Sequence, residues 1–171
     1  NDLLQEFWQF EIRPTDQAGD LLEKLNKNGH ENWINQQRIT EESFLVIFGR
    51  IWDELEKTLG WERPCLVTDW PSQLASLAQL SPNGFAERVE CYVHGMEIAN
   101  GFSELTDPIE QRKRFEIELI NRNQVGKLDV VLDHQFLDSL GEGMPPSCGM
   151  ALGIERLLIW LLEVPSIKNV M

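Results

Sequence analysis

The sequence predicts an α+β fold, an antiparallel sheet flanked by helices, from three observations. Helical periodicity dominates as far as Gly60, two alternating segments flank His94-Gly95, and a glycine-punctuated run over Gly149–Gly153 leads into an apolar helix. Taken in order, Asp16–Leu25 is amphipathic, with Ala18, Leu21, Leu22 and Leu25 on one side, and stops in the turn-rich Asn26-Lys27-Asn28-Gly29. Thr40 reads as an N-cap with Glu41 and Glu42 in the first turn. Phe44, Phe48, Ile51, Trp52, Leu55 and Leu59 then recur at helical spacing up to Gly60.

Cys65–Thr68 is a short β-like run, and Ser72–Leu80 a brief helix or turn. Ala86–Val93 and Met96–Ser103 read as the strands of a hairpin. Asp107-Pro108-Ile109-Glu110 combines a cap, a proline at the first helical position and an acid behind it, so a charged helix should run to Asn121. Asn121–Asp129 reads as a loop and Asp133–Leu140 as a short helix. A strand over Gly149–Gly153 and a helix over Ile154–Leu162 close the pattern. Strands separated by helices in this order do not make a repeating βαβ unit, and neither GxxxxGKS nor GxGxxG occurs.

A chain of 171 residues fits one domain on the prior of roughly 100–200 residues per domain. With 42% hydrophobic and 25% charged residues it has the makings of a packed core, which excludes disorder and collagen-like repeats. Acidic residues number 28 against 15 basic ones, a net charge of -13. Such a surface repels phosphate, which disfavours nucleic acid and anionic membranes and leaves room for a cationic partner. Cys65, Cys91 and Cys148 are too dispersed for a zinc knuckle, and their odd number points to a reducing, cytoplasmic setting. His30, His94 and His134 are equally scattered. No run approaches the ~18 apolar residues of a membrane span, and Leu157–Leu162 is expected to be the buried face of a short helix. The opening Asn-Asp-Leu-Leu is neither an initiator methionine nor a signal peptide, so a piece of a longer protein is expected.

Chemistry concentrates between Glu87 and Glu104. A two-residue turn at His94-Gly95 pairs Tyr92 with Glu97 and puts Glu90 on the same face, so two carboxylates converge. Such a pair suits Mg²⁺ shared with substrate phosphates; alternating acids also mark a plain solvated sheet face. Strict alternation sends Asn100, Phe102 and Glu104 to the face opposite Glu97, whereas a bulge near Ala99–Gly101 would bring all of them together. An acid beside an aromatic wall then suits a cationic side chain, the alternative being an edge-strand acid. In Gly149–Arg156, small residues at alternate strand positions let a flat ligand approach the backbone. Arg156, in a first helical turn where the dipole disfavours a cation, reads either as an anion or base contact or as an ion pair with Glu155 or Glu163.

These segments together resemble the C-terminal half of a class II aminoacyl-tRNA synthetase catalytic domain of the lysyl type. Gly149–Arg156 resembles motif 3, and Gly143-Met144-Pro145-Pro146 the loop before it. Glu87–Pro108 resembles the lysyl segment Glu-Arg-x-Glu, Gly-x-Glu-Ile, Asn-Gly-Phe-Ser-Glu-Leu. The run Trp70–Gln79 and Ala151, where the tRNA synthetase has glycine, look closer to the elongation factor P lysine ligase branch of that family. The resemblance covers Cys65–Met171. It implies a partial class II synthetase-like domain over residues 65–171, with residues 1–64 a helical insertion.

The resemblance also implies ATP and Mg²⁺. Glu90 and Glu97 would serve the magnesium. Glu97, Ile98, Gly153 and Arg156 would border the ATP, Arg156 being the one catalytic assignment. Asn100, Phe102, Glu104 and Ala151 would hold lysine or β-lysine, with Glu104 on the distal amine. The lysine carboxylate would attack the α-phosphate, giving lysyl-adenylate and pyrophosphate, and the acyl group would pass to a lysine of elongation factor P. Such chemistry rests on positioning and charge neutralisation. A tRNA acceptor and a membrane are not expected, and a homodimer is expected for the complete protein. Motifs 1 and 2 are not found in this chain, so these 171 residues alone are not expected to form the adenylate. Rival readings are a true lysyl-tRNA synthetase fragment, a non-catalytic binding module, and an aspartyl or asparaginyl relative. The last is disfavoured because a carboxylate substrate needs a cation where Glu104 stands.

Overall fold

The computed structural model describes residues 1–37, 43–124 and 130–170. Four helices come first: α1 (Asp2–Trp8), α2 (Ala18–Lys27), α3 (Glu31–Gln37) and α4 (Phe44–Leu55). Strands β1 (Cys65–Val67), β2 (Arg88–Val93) and β3 (Met96–Ser103) follow, then α5 (Pro108–Gln124), α6 (His134–Gly141), β4 (Cys148–Leu152) and α7 (Ile154–Leu161). The strands form one four-stranded antiparallel sheet in the order β1-β2-β3-β4. The α+β expectation therefore holds.

Local chemistry accounts for the helices. Gln17 and Asp20 form a reciprocal capping box at the start of α2, which turns Leu21 and Leu25 inward while Lys24 reaches back to the buried Asp16. On α4, Phe44, Ile47, Phe48, Ile51 and Leu55 follow the one-face helical pattern i, i+3, i+4, i+7, i+11 and are all buried, each such side chain stabilising the fold by about 1.5–3 kcal/mol. Ser43 is its N-cap; Thr40, Glu41 and Glu42, read above as its start, lie outside the described residues. The Asp107 carboxylate accepts from the backbone N–H of Ile109 (2.8 Å), and Asp133 caps α6 through Phe136 N–H (2.9 Å).

The core joins the first helices to the sheet. Trp70 packs edge-on against Trp52 (4.4 Å between ring centres) and Phe48, and Trp52 packs against Tyr92 of β2. Residues of α1, α2 and α4 thus share one apolar cluster with β1 and β2.

Two expectations change. Of the loop read over Asn121–Asp129, residues 121–124 continue α5, and 125–129 lie outside the described residues. Leu157–Leu162 is not a buried face: α7 has no buried residue, and Leu161 and Leu162 are more than half exposed. The helix is amphipathic, but only its Leu157–Trp160 stretch is half covered, where it lies on β3.

Candidate active site

The hairpin turn at His94-Gly95 has positive φ at both residues (47° and 71°), the mirror-image geometry that matches strand twist. It pairs Val93 with Met96 and Tyr92 with Glu97, as the spacing predicts. The ladder then slips by one residue: Cys91 faces Ala99, leaving Ile98 as the extra residue of a bulge. The bulge thus lies just before the Ala99–Gly101 window. Beyond it Glu90 faces Asn100, Arg88 faces Phe102, and β4 sets Ala151 beside Asn100 and Gly149 beside Phe102. Because partners share a face, Arg88, Glu90, Tyr92, Glu97, Asn100, Phe102, Gly149 and Ala151 all line one side of the sheet.

Glu104 joins them just past the end of β3. A Cβ on Gly149 would lie 2.8 Å from Glu104 Oε1, so the carboxylate occupies the space that the missing side chain leaves. Its backbone is tied down on both sides. Glu104 N–H donates to Ser147 O (2.9 Å), Gln79 Nε2 donates to Glu104 O (2.8 Å), and Ala78 bridges to it. The Trp70–Gln79 run therefore ends directly against the residue that the resemblance assigns to the distal amine. Phe102, half-buried and packed on the core, stands next along the same face.

Glu90 has different surroundings from those expected of a magnesium ligand. It is only 3% exposed. Its Oε2 accepts from the Tyr92 hydroxyl, while its Oε1 accepts from Arg88 and from Asn100 Nδ2 (2.9 Å). Burial raises its pKa, against the lowering influence of Tyr92 and Arg88. Tyr92 is raised in turn, first by burial and then by its bond to Glu90. The Tyr92 hydroxyl also accepts from Trp52 Nε1 (2.9 Å), and the Arg88 guanidinium lies 4.9 Å over the Trp70 ring. Arg88, Tyr92, Trp52, Trp70 and Gln79 were given no role from the sequence. The alternation Arg88, Glu90, Tyr92 was the available signal for two of them, since residues two apart on a strand share a face.

Arg156 reaches from the first turn of α7 back to β3. Its guanidinium donates to Glu97 O (2.7 Å) and lies 3.8 Å from the Glu97 carboxylate, so its ion pair is with Glu97 and not with Glu155 or Glu163. The side chain remains 54% exposed, enough to meet an anion or a flat ring. Gly153 N–H donates to Ile98 O (2.8 Å), which fastens α7 at the bulge. Glu56 lies in the same field, its carboxyl raised by burial and then by Asp53, Glu97 and Glu90.

For the Mg²⁺ and nucleotide that the resemblance implies, the donors within reach here would be the half-buried carboxylate of Glu97 and the exposed guanidinium of Arg156 beside it. Among the described residues no group of three or more His, Cys, Asp or Glu is placed to hold an ion by itself. A small hard cation here would therefore take one or two carboxylates and complete its shell with phosphate and water. Also among the described residues, no helix is long and apolar enough to cross a membrane.

This mixture of helices with a four-stranded antiparallel sheet is compatible with a partial synthetase-like domain, and comparison with known proteins agrees. The family model for class II tRNA synthetases (D, K and N) matches residues 22–171, and the chain belongs to that family. It is similar to the elongation factor P–(R)-β-lysine ligase of Haemophilus influenzae (strain ATCC 51907 / DSM 11121 / KW20 / Rd), with 39% identity over 90% of this chain and 47% of that protein. The enzyme of the same name from Erwinia tasmaniensis is 42% identical over 88% of this chain and 46% of its own length. The lysine–tRNA ligase of Methanospirillum hungatei is 37% identical over 87% of this chain and 30% of its own. The chain thus spans about half the length of the β-lysine ligases it matches.

Proposed function

We propose that this chain carries the amino-acid side and part of the nucleotide side of a lysine-activating ligase, which forms lysyl-adenylate and passes the acyl group to a lysine of elongation factor P. The observation that carries the reading is Glu104 lying over the bare Gly149 beside Phe102. A carboxylate backed by an aromatic wall is suited to a distal ammonium and an apolar stem. Asn100 and Ala151, side by side on the same face, would meet the part of the amino acid nearer its carboxylate. Glu97, Ile98, Gly153 and Arg156 would border the ATP, Arg156 stacking on or pairing with the nucleotide.

In the first half-reaction a lysine carboxylate oxygen bonds to the α-phosphorus and the bond to pyrophosphate breaks. In the second, the acceptor amine attacks the adenylate carbonyl, AMP leaves, and the amine proton is released. Mg²⁺, when bound, supplies charge neutralisation at the phosphates. The residues of this chain bind and orient; none is needed as a nucleophile. A second reading, transfer to tRNA, is favoured by the likeness to the Methanospirillum hungatei enzyme. The net charge of -13 weighs against it and suits a basic protein acceptor.

The test is lysine-dependent exchange of pyrophosphate into ATP by the protein encoded by the complete gene, with α-lysine and (R)-β-lysine compared. Mass spectrometry of elongation factor P and charging of tRNA then identify the acceptor. Exchange stimulated by aspartate or asparagine and not by either lysine would overturn the reading. Ala151→Gly is expected to shift the preference toward α-lysine by roughly tenfold, the usual scale for one methyl group in a pocket.

A further inference from the structure

The buried carboxylate of Glu90 holds three donors and meets almost no solvent. One of them, Asn100 Nδ2, belongs to the residue opposite it on β3. An ionised carboxylate only accepts hydrogen bonds, so the Asn100 amide must turn its NH₂ toward Glu90 and its oxygen away. That oxygen, Oδ1, is buried and has no partner among the described residues. A buried acceptor left unpaired is costly, and a ligand donor is what would complete it. With every bond in place, a cation could bind Glu90 only by displacing these donors from a dry site.

We propose that Glu90 is a positioning residue for the amino-acid site: it fixes the amide of Asn100 with Oδ1 turned away from Glu90, as the acceptor for an N–H donor of a ligand that uncovers it. For the identity of that ligand, an amino acid offering an ammonium or amine, the inference rests on the lysine-activation reading. The orientation of the amide does not depend on it. Glu90 is itself held from the helical layer, since Trp52 of α4 bonds to Tyr92 and Tyr92 to Glu90. Arg88 completes the ring. Its Nη1 donates to Leu74 O (3.1 Å), its Nη2 donates to Glu90, and its guanidinium lies on Trp70, which packs back on Trp52.

Two measurements test this. In this chain, the side-chain amide of Asn100 is followed by ¹⁵N–¹H NMR. Its NH₂ signals should be slow to exchange with solvent, and Glu90→Gln, which can offer either an oxygen or an NH₂, should shift them and speed their exchange. Unchanged Asn100 signals overturn the proposal. In the protein encoded by the complete gene, Glu90→Gln and Asn100→Ala are combined in a double-mutant cycle on lysine-dependent pyrophosphate exchange, with thermal unfolding as the control. Each single change should raise the KM for lysine about tenfold with a smaller effect on kcat, and the double variant should be no worse than Asn100→Ala alone. Additive effects on KM overturn the proposal, because a merely structural Glu90 would act independently of Asn100. If Glu90→Gln does not fold, Asn100→Ala is read by ¹³C titration of the Glu90 carboxyl. Loss of a donor should move that titration upward, and an unmoved titration overturns the proposal. Absence of any lysine-dependent exchange in the unaltered protein defeats the functional reading, and the NMR measurement then decides the positioning role by itself.

Discussion

At Gly149 one methyl group would meet the carboxylate that the functional reading depends on. A Cβ there would stand 2.8 Å from Glu104 Oε1, closer than real contacts allow, yet the atom in its way is the free end of a side chain that can swing aside. Gly149→Ala should therefore change unfolding free energy by less than about 0.5 kcal/mol, as surface substitutions do. On the proposed reading it should still raise the KM for lysine by roughly tenfold or more, because the carboxylate proposed to pair with the distal amine is displaced. Thermal denaturation measured beside pyrophosphate exchange checks both halves; a loss of fold equal to the loss of activity would contradict the placement of Glu104. Glu90 makes a prediction about pH. Burial raises its pKa above the ordinary value of 4.5, so the folded state holds its proton more tightly than the unfolded chain does. Its contribution to stability is full below about pH 4.5 and is lost as pH rises through the raised value. Urea unfolding of the unaltered chain and of Glu90→Gln across that interval should accordingly show the variant gaining relative stability toward neutral pH. Glu56, raised in the same direction, contributes with the same sign and remains in both proteins.

Among the elements, the contact between β3 and β4 depends on Gly101. A Cβ at this position would fall 2.6 Å from Gly149 O and 3.0 Å from Met150 Cα, and backbone cannot swing aside as the Glu104 side chain can. Gly101→Ala should push β4 away from β3 and destabilise the chain by about 1–3 kcal/mol, the range for overpacking. Hydrogen exchange confined to the β3–β4 ladder would show the damage, whereas Gly149→Ala should leave that ladder protected. The contrast bears on what was legible in the sequence. Period-two alternation and the turn residues His94-Gly95 specified β2, β3 and their initial register, because short-range sterics decide a two-residue hairpin. The bulge was foreseen only as one of two alternatives, and a residue later than it occurs. Bulge placement is set by what the ladder meets on its far sides, here α7 fastened at Ile98 O and Ala99 paired with Leu152. α1 and α3, each seven residues long, were not distinguished as separate helices within residues 1–64. They are held by tertiary contacts such as Asn1 with Ile12 and Trp8 with His30 and Trp33, which no local periodicity reports. The contact that holds Tyr92 behind Glu90 was invisible for the same reason, since Trp52 and Tyr92 meet across forty positions of chain.

On the scale of the whole molecule, one side of the chain is unfinished by the standard of the other. The helices up to Leu55 share an apolar cluster with β1 and β2, while β4 is exposed along its entire length and α7 buries nothing. Strand β4 is also the sheet's edge, so its outward N–H and C=O groups face no strand among the described residues, and Met150, Leu152, Ile154, Leu161 and Leu162 stand about half exposed or more beside it. An exposed apolar edge of this kind pairs with whatever strand is offered. In solution this chain should self-associate through β4 and α7, with sedimentation velocity showing a weight-average mass that rises with concentration. Its net charge of -13 opposes that association, since every copy repels every other, so added salt should strengthen it by screening the repulsion. That sign separates the apolar edge from an association held by ion pairs, which salt would weaken. Met150→Lys with Leu161→Lys should lower the association without lowering the unfolding temperature, because neither side chain is buried in the core. A chain that stays monomeric over a wide concentration range, in high salt as in low, would show that the edge is protected and that β4 needs no partner.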